Sequence, residues 1–404
     1  MRILQINAVY KTKSTGRIAM EMHKYFQSKG IESYVAYAVQ NTDQSGDPNV
    51  FQVGNIIDHK LHAVAYRIDN MQGCHSTLAT KRFLEKIEEL KPDVVLTHNL
   101  HSNFLNVPLL LRGLKKLNIK TFLDLHDCWF LTGGCYHYTM SGCDKWLTGC
   151  EDCDLLGKAA RKKFKINCEV FEETKPHIIA TSKWIEREAK KSLLGSRCDI
   201  HMIYDWIDIA TFYRRETSKI RAKYQIQTDT VILGVSTFWS KDKGQEEMLK
   251  ISQEMPEATV ILVGRQPNGA TYPENVITIS FTDSKDELAE LYSVADVFFN
   301  PTKQETFGLV SGEALACGTP LVVYNTTACP EFVTEETGVI MEQDADIVTA
   351  VKEMLDKNQR LGREFVAEKC RTFVEKNFNI TEILQLLEKV TMNVFLKGKI
   401  TMLL

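Results

Sequence analysis

Short apolar runs rich in β-branched residues recur along the chain with helical stretches between them, in two successive series. RILQIN, SYVAYAV, DVVLTH, KTFLDL, HIIATS and HMIY form the first; VILGVS, ATVILVG, VITIS, DVFFNP and PLVVY form the second. Strands that read as nearly continuous apolar runs are buried on both faces, and strands that alternate with helices pair in parallel through helical crossovers. The pattern restarts near MIYDWIDIATFYRRE, where Asp205–Tyr213 reads as an exposed crossover. It predicts an α/β chain with two doubly wound domains, over residues 1–204 and 205–384, facing each other across a cleft. The final FLKGKITMLL is too apolar for a solvated tail, and residues from about 385 to 404 are expected to dock back on the first domain. A length of 404 residues gives each domain enough chain for its own core.

Charge is nearly balanced, at 49 Lys and Arg against 52 Asp and Glu, so no global field favours nucleic acid. The opening MRILQINAVYKTKS meets charge too soon for a signal-peptide core, and no apolar run approaches the roughly 18 residues of a membrane span. The expected location is cytoplasmic. In that reducing compartment the 11 cysteines are thiols or metal ligands rather than disulfides.

Doubly wound sheets bind ligands beyond the carboxyl ends of their strands, so function is sought in the strand-to-helix loops. No G-x-G-x-x-G follows the first strand, and GRQPNGAT has Ala270 where a P-loop needs lysine. NPTKQETFGLVSGEALACGTPLVV is more informative, with Glu305 in the loop and Glu313 in the helix that Phe307 and Gly308 open. Gly318, Thr319 and Pro320 close that helix. Amides near Gly308 and Leu309 then lie at a positive helix end, where a diphosphate is favoured. Glu313 stands four residues after Leu309 on the same face. Two acceptors flanking an anion hole suit a ligand with hydroxyls at both ends, such as a nucleotide sugar; two solvated glutamates beside a helix terminus are the alternative.

That stretch resembles the donor-binding signature of the retaining family-4 glycosyltransferases, and LYSVADVFFNPTKQETFG resembles the segment before it. STGRIAMEMHKYFQSKG, LHDCWFLTGGC, ATSKWIEREAKKS and MIYDWID extend the likeness over most of the chain, toward the bacterial exopolysaccharide and colanic-acid-type branch. The resemblance implies two facing Rossmann-like domains (GT-B), retention of anomeric configuration and no cofactor for catalysis. It implies that Glu305 contacts the donor sugar and Glu313 the ribose, with the amides of Phe307, Gly308 and Leu309 around sugar and diphosphate. Lys243, before Gly244 in WSKDKG, corresponds to the lysine that offsets diphosphate charge, His126 to a histidine beside the donor sugar, and Gly16 to a glycine loop over the diphosphate. Where relatives carry an arginine this chain has Phe238, followed by Trp239; Arg265 is the candidate substitute.

Cys135, Cys143, Cys150 and Cys153 could supply four thiolates to a structural zinc, or be unpaired thiols on a long loop. Lys158, Arg161, Lys162, Lys163 and Lys165 form a basic run, read either as a solvated helix face or as reversible attachment to an anionic membrane at its inner face. The resulting expectation is transfer of a sugar from a nucleoside-diphosphate donor to a glycan or lipid-linked glycan in surface polysaccharide synthesis. A sugar-nucleotide 2-epimerase and a non-catalytic glycan-binding homologue are the alternatives.

Overall fold

The computed structural model describes residues 1–38 and 46–403, the last six by backbone alone. Val39 of the expected second strand and the terminal Leu404 lie outside the described residues. Two units are present, Met1–Tyr204 with Leu384–Leu404, and Asp205–Ile383.

The first unit is built on parallel strands β1 (Arg2–Asn7), β2 (Glu32–Tyr37), β3 (Val50–Gln52), β4 (Val94–Thr97), β5 (Lys120–Leu125), β6 (His177–Ala180) and β7 (Ile200–Met202), in the order β3-β2-β1-β4-β5-β6-β7. Ile3, Leu4, Val94, Val95, Phe122 and Leu123 are fully buried, as their uninterrupted apolar runs require. The helix Lys13–Ser28 covers the sheet with Ile18, Ala19, Met22 and Phe26, spaced at one helical face. The helix Ile380–Leu403 begins in the second unit, and from Leu384 it belongs to the first. Leu384, Leu387 and Thr391 are buried, Tyr25 donates its hydroxyl to Glu388 at 2.8 Å, and Phe395 lines a cavity of about 370 Å³ with Ile87, Pro92 and Leu117.

The second unit has a six-stranded parallel sheet, β8 (Val231–Phe238), β9 (Thr259–Arg265), β10 (Val276–Ile279), β11 (Val297–Asn300), β12 (Leu321–Tyr324) and β13 (Gly338–Met341), ordered β10-β9-β8-β11-β12-β13. Strands β3 and β13 were not anticipated. Both lie at sheet edges, the first with only three residues and the second opening on glycine, so neither carries the long apolar signal of a central strand.

The basic run departs from expectation. Its helix is Lys158–Thr174, and Lys163 is only 2% exposed, its ammonium 3.4 Å from the Trp129 ring centroid. Lys158, Arg161, Lys162 and Lys165 stay exposed, with Arg161 paired to Glu151 at 3.1 Å. Five cations do not share one lipid-facing or solvated surface, because the apolar stem and the indole face draw the fourth into the core.

Candidate functional site

In the second unit, β11 runs into the loop that holds Glu305. Gly308, at φ 102°, then turns the chain into the helix Leu309–Ala316, which no side chain caps. A side chain at that φ is strained, so glycine suits the turn. The lysine arrives from β8 through a short 3₁₀ turn, Lys241–Lys243, that Gly244 ends at φ 76°. A Cβ on Gly244 would meet the Pro301 ring carbons at 2.2 and 2.3 Å. Only glycine lets the two loops approach this closely, and the approach places Lys243 Nζ 3.5 Å from Glu305 Oε1 and 3.3 Å from Thr302 Oγ1. Both charges remain accessible, with side chains 42% and 25% exposed. Glu305 is fixed from behind: its N–H donates to Thr327 Oγ1 at 3.1 Å and its carbonyl accepts from Ala328 N–H at 3.2 Å.

The other predicted residues of this segment fall into different environments. Leu309 is half-buried at the first helical position. Phe307 is buried, its ring 5.0 Å from Phe332 and 5.3 Å from Phe378, so only its backbone is left to face a ligand. Glu313 is 4% exposed and accepts the Tyr292 hydroxyl at 3.2 Å, set back from the accessible pair. Phe238 ends β8 half exposed, and its register partner on β9 is Arg265, whose guanidinium lies 4.8 Å from the Phe281 ring centroid. Trp239 is buried and donates its indole N–H to the Val263 carbonyl at 3.0 Å, a structural role.

In the first unit, His126 follows β5 and belongs to a buried polar cluster at the carboxyl ends of β1, β4 and β5. Asp124 Oδ2 lies 3.2 Å from His126 Nε2 and 3.3 Å from His98 Nδ1; the two imidazoles approach to 3.1 Å, and His98 Nε2 reaches Gln5 Oε1 at 3.2 Å. Burial alone would raise the Asp124 carboxyl, but the charge and hydrogen bonds of His126 and His98 hold it well below the ordinary range. Among the described residues, Gln5 Nε2, Asn7 Nδ2 and Asp124 Oδ1 are buried without a hydrogen-bond partner. Such orphans at the ligand-binding edge of a doubly wound sheet await a polar ligand or water. Asp127 pairs with His101 at 2.7 Å and accepts the Trp129 N–H at 2.8 Å, capping its turn. Gly16 is not in a loop. It sits inside the helix Lys13–Ser28, where a Cβ would press on Val9 at 3.1 Å and on the backbone of Tyr10 at 3.2 Å, so it serves helix-to-loop packing.

The four cysteines line one cavity of about 20 Å³, room for one small species, beside Tyr138 and Trp146. Gly133 N–H donates to Cys150 Sγ at 3.1 Å and Leu156 N–H to Cys153 Sγ at 3.4 Å. Burial pushes the Cys135 thiol up to about 12 and that of Cys150 to about 11. Among the described residues, ligand atoms mutually within 4.8 Å occur at His98, Asp124 and His126, and no three cysteine sulfurs reach that spacing.

The fold and this edge chemistry define a two-unit α/β protein built on parallel sheets, with its accessible charge pair beside the N-terminus of a helix. Residues 229–357, which contain Lys243, Glu305 and Glu313, match the model of the glycosyl transferases group 1 family. The chain is similar to N-acetyl-alpha-D-glucosaminyl L-malate synthase of Bacillus anthracis, at 26% identity over 50% of this chain and 55% of that one. It thus spans only about half the length of that relative. Alpha-monoglucosyldiacylglycerol synthase of Acholeplasma laidlawii is 23% identical over 90% of both chains. The structure of Anabaena HepE in complex with UDP superposes with a TM-score of 0.70 at 14% identity, covering 97% of this chain and all of that one. These likenesses support a family-4-type glycosyltransferase domain over residues 229–357 and a GT-B fold for the chain.

Proposed function

We propose that the protein transfers a sugar, with retention, from a nucleoside-diphosphate donor to a hydroxyl of a glycan or lipid-linked glycan in surface polysaccharide synthesis. The observation that carries this reading is the accessible Lys243–Glu305 pair beside the uncapped helix Leu309–Ala316. The helix end and Lys243 suit the two phosphates, and the lysine offsets negative charge as the diphosphate leaves. Glu305 can accept hydrogen bonds from sugar hydroxyls, and Glu313, by the family resemblance, those of the ribose. Gln5, Asn7, Asp124 and His126 supply polar groups at the sheet edge of the first unit, with Asp124 orienting His126. Catalysis then rests on positioning and leaving-group stabilisation. A UDP donor is favoured by the UDP complex of the Anabaena structure, and a lipid-linked acceptor by the diacylglycerol product that the Acholeplasma relative's name states. In a thermal-shift comparison, UDP at a hundredfold excess over its Kd is expected to raise Tm by several degrees and GDP by much less. Equal response to both, or to neither, rejects the donor assignment, and turnover of donor without acceptor points to the epimerase.

We also propose that Cys135, Cys143, Cys150 and Cys153 take a structural zinc, supported by their convergence on one ion-sized cavity and by the N–H donors already aimed at two of the sulfurs. Binding would draw the sulfurs inward and displace their protons. About one equivalent of zinc per chain is expected in freshly purified, reduced protein, and chelation should destabilise the first unit while leaving UDP binding in place. Zinc-free protein of unchanged stability would leave only buried thiols.

A further inference from the structure

The helix Ile56–Asp69 is turned inside out. Ile57, Leu61, Val64 and Ile68, spaced i, i+4, i+7 and i+11, are 64%, 65%, 52% and 80% exposed, and Leu78 on the following helix Thr77–Leu90 is 70% exposed. The side toward the protein is instead polar: His62 is buried, reaching Ser76 Oγ at 2.8 Å and accepting the Gly73 N–H at 3.2 Å, while His59 Nε2 meets the Val53 carbonyl at 2.9 Å. An amphipathic helix ordinarily buries its apolar stripe. A contiguous stripe left outside marks an interaction surface.

The charges around it select the partner. Lys60 and Arg67 are exposed beside the stripe and Lys81 lies exposed on the next helix, none of them ion-paired among the described residues. The acids of the same helix are engaged: Asp58 closes the capping box with Asn55 and pairs with Arg82 at 2.9 Å, and Asp69 takes the Met71 N–H at 2.9 Å and His75 at 3.1 Å. An apolar stripe flanked by unpaired cations is complementary to a bilayer surface with anionic headgroups, the stripe entering the acyl boundary while lysine and arginine stems reach the phosphates. We propose that this helix docks the first unit on an anionic membrane. The inference rests on the lipid-linked acceptor of the proposed function for its purpose, and on the stripe and its cations for its chemistry.

The test is cosedimentation of the full chain with vesicles of phosphatidylcholine alone or mixed with phosphatidylglycerol. Wild type should bind the mixed vesicles, and Leu61→Asp with Ile68→Asp should lower its partitioning by at least about tenfold at unchanged Tm and unchanged UDP response. Lys60→Glu with Arg67→Glu should weaken binding to the anionic vesicles only. Should the double aspartate variant not fold, Leu61→Ser with Ile68→Ser serves the same comparison. Wild type that stays in the supernatant, or equal partitioning of wild type and variant, overturns the proposal. So does a wild-type dimer that the variant dissolves, which would assign the stripe to a second copy of the chain. A wild type that binds vesicles yet ignores every nucleoside diphosphate would leave the docking inference standing and remove the donor reading.

Discussion

Lys243→Ala is expected to lower glycosyl transfer by roughly 10²–10³-fold, the usual effect of removing one preorganised partner of a developing charge. Free UDP should bind more weakly as well, since the accessible Lys243 pairs with Glu305 in the loop that leads into the helix proposed to receive the phosphates. Glu305→Gln tests the other half of the pair. It keeps the shape and the backbone hydrogen bonds to Thr327 and Ala328, so the fold should persist while kcat falls sharply at saturating donor. Steady-state kinetics and UDP titration of both variants separate the roles. Unchanged UDP affinity and rate in Lys243→Ala, or near wild-type kcat in Glu305→Gln, would remove that residue from the site.

Lys163→Met is expected to stabilise the protein at neutral pH and to flatten its pH dependence above it. Burial brings the Lys163 pKa down to about 7, whereas the unfolded chain keeps the ordinary value near 10.5. Between those values the unfolded state binds a proton that the folded state lacks, so stability rises with pH across this window and is lowest below about 7. Methionine fills a similar volume without a charge to desolvate, and gives up the contact with Trp129 and the attraction of Asp127. A gain of roughly 1–4 kcal/mol at pH 7 is the scale for exchanging a buried charge for an apolar side chain. Urea unfolding at pH 7 and pH 9.5, followed by far-UV circular dichroism, measures it. A variant less stable than wild type at pH 7 would mean that the indole contact outweighs the desolvation.

The alternation of apolar runs made the two parallel sheets legible, because a strand buried on both faces leaves an unbroken signal in one short window. The loop carrying Glu305 was legible for a similar reason: strand, Pro301, Gly308 and helix follow one another directly. What escaped depends on distance along the chain or on which way a side chain turns. Gln5 and Asp124 sit on β1 and β5 and His98 directly follows β4, far apart in sequence, and only the β1–β4–β5 order joins them. Lys163 sits in a basic run whose other members are solvated, and only the Trp129 ring distinguishes it. Ile57, Leu61, Val64 and Ile68 have the spacing of a core-facing stripe, and only the buried His62 reveals that the helix faces the other way. Likewise, Glu305 and Lys243 read as separate contacts, and the Gly244–Pro301 approach is what makes them a pair.

The membership of Leu384–Leu404 in the first unit bears on how the chain is made. On the ribosome, residues 1–204 emerge first but lack the turns of helix that bury Leu384, Leu387 and Thr391. The second unit has all of its sequence in one stretch and can close its sheet as soon as Asp205–Ile383 has been released. The sequence of the first unit is therefore complete only after that of the second, although it begins first. A released chain cut back to Ile383 would hold the whole sequence of the second unit but lack the turns that bury Leu384, Leu387 and Thr391, and its first unit should be the one more open to protease.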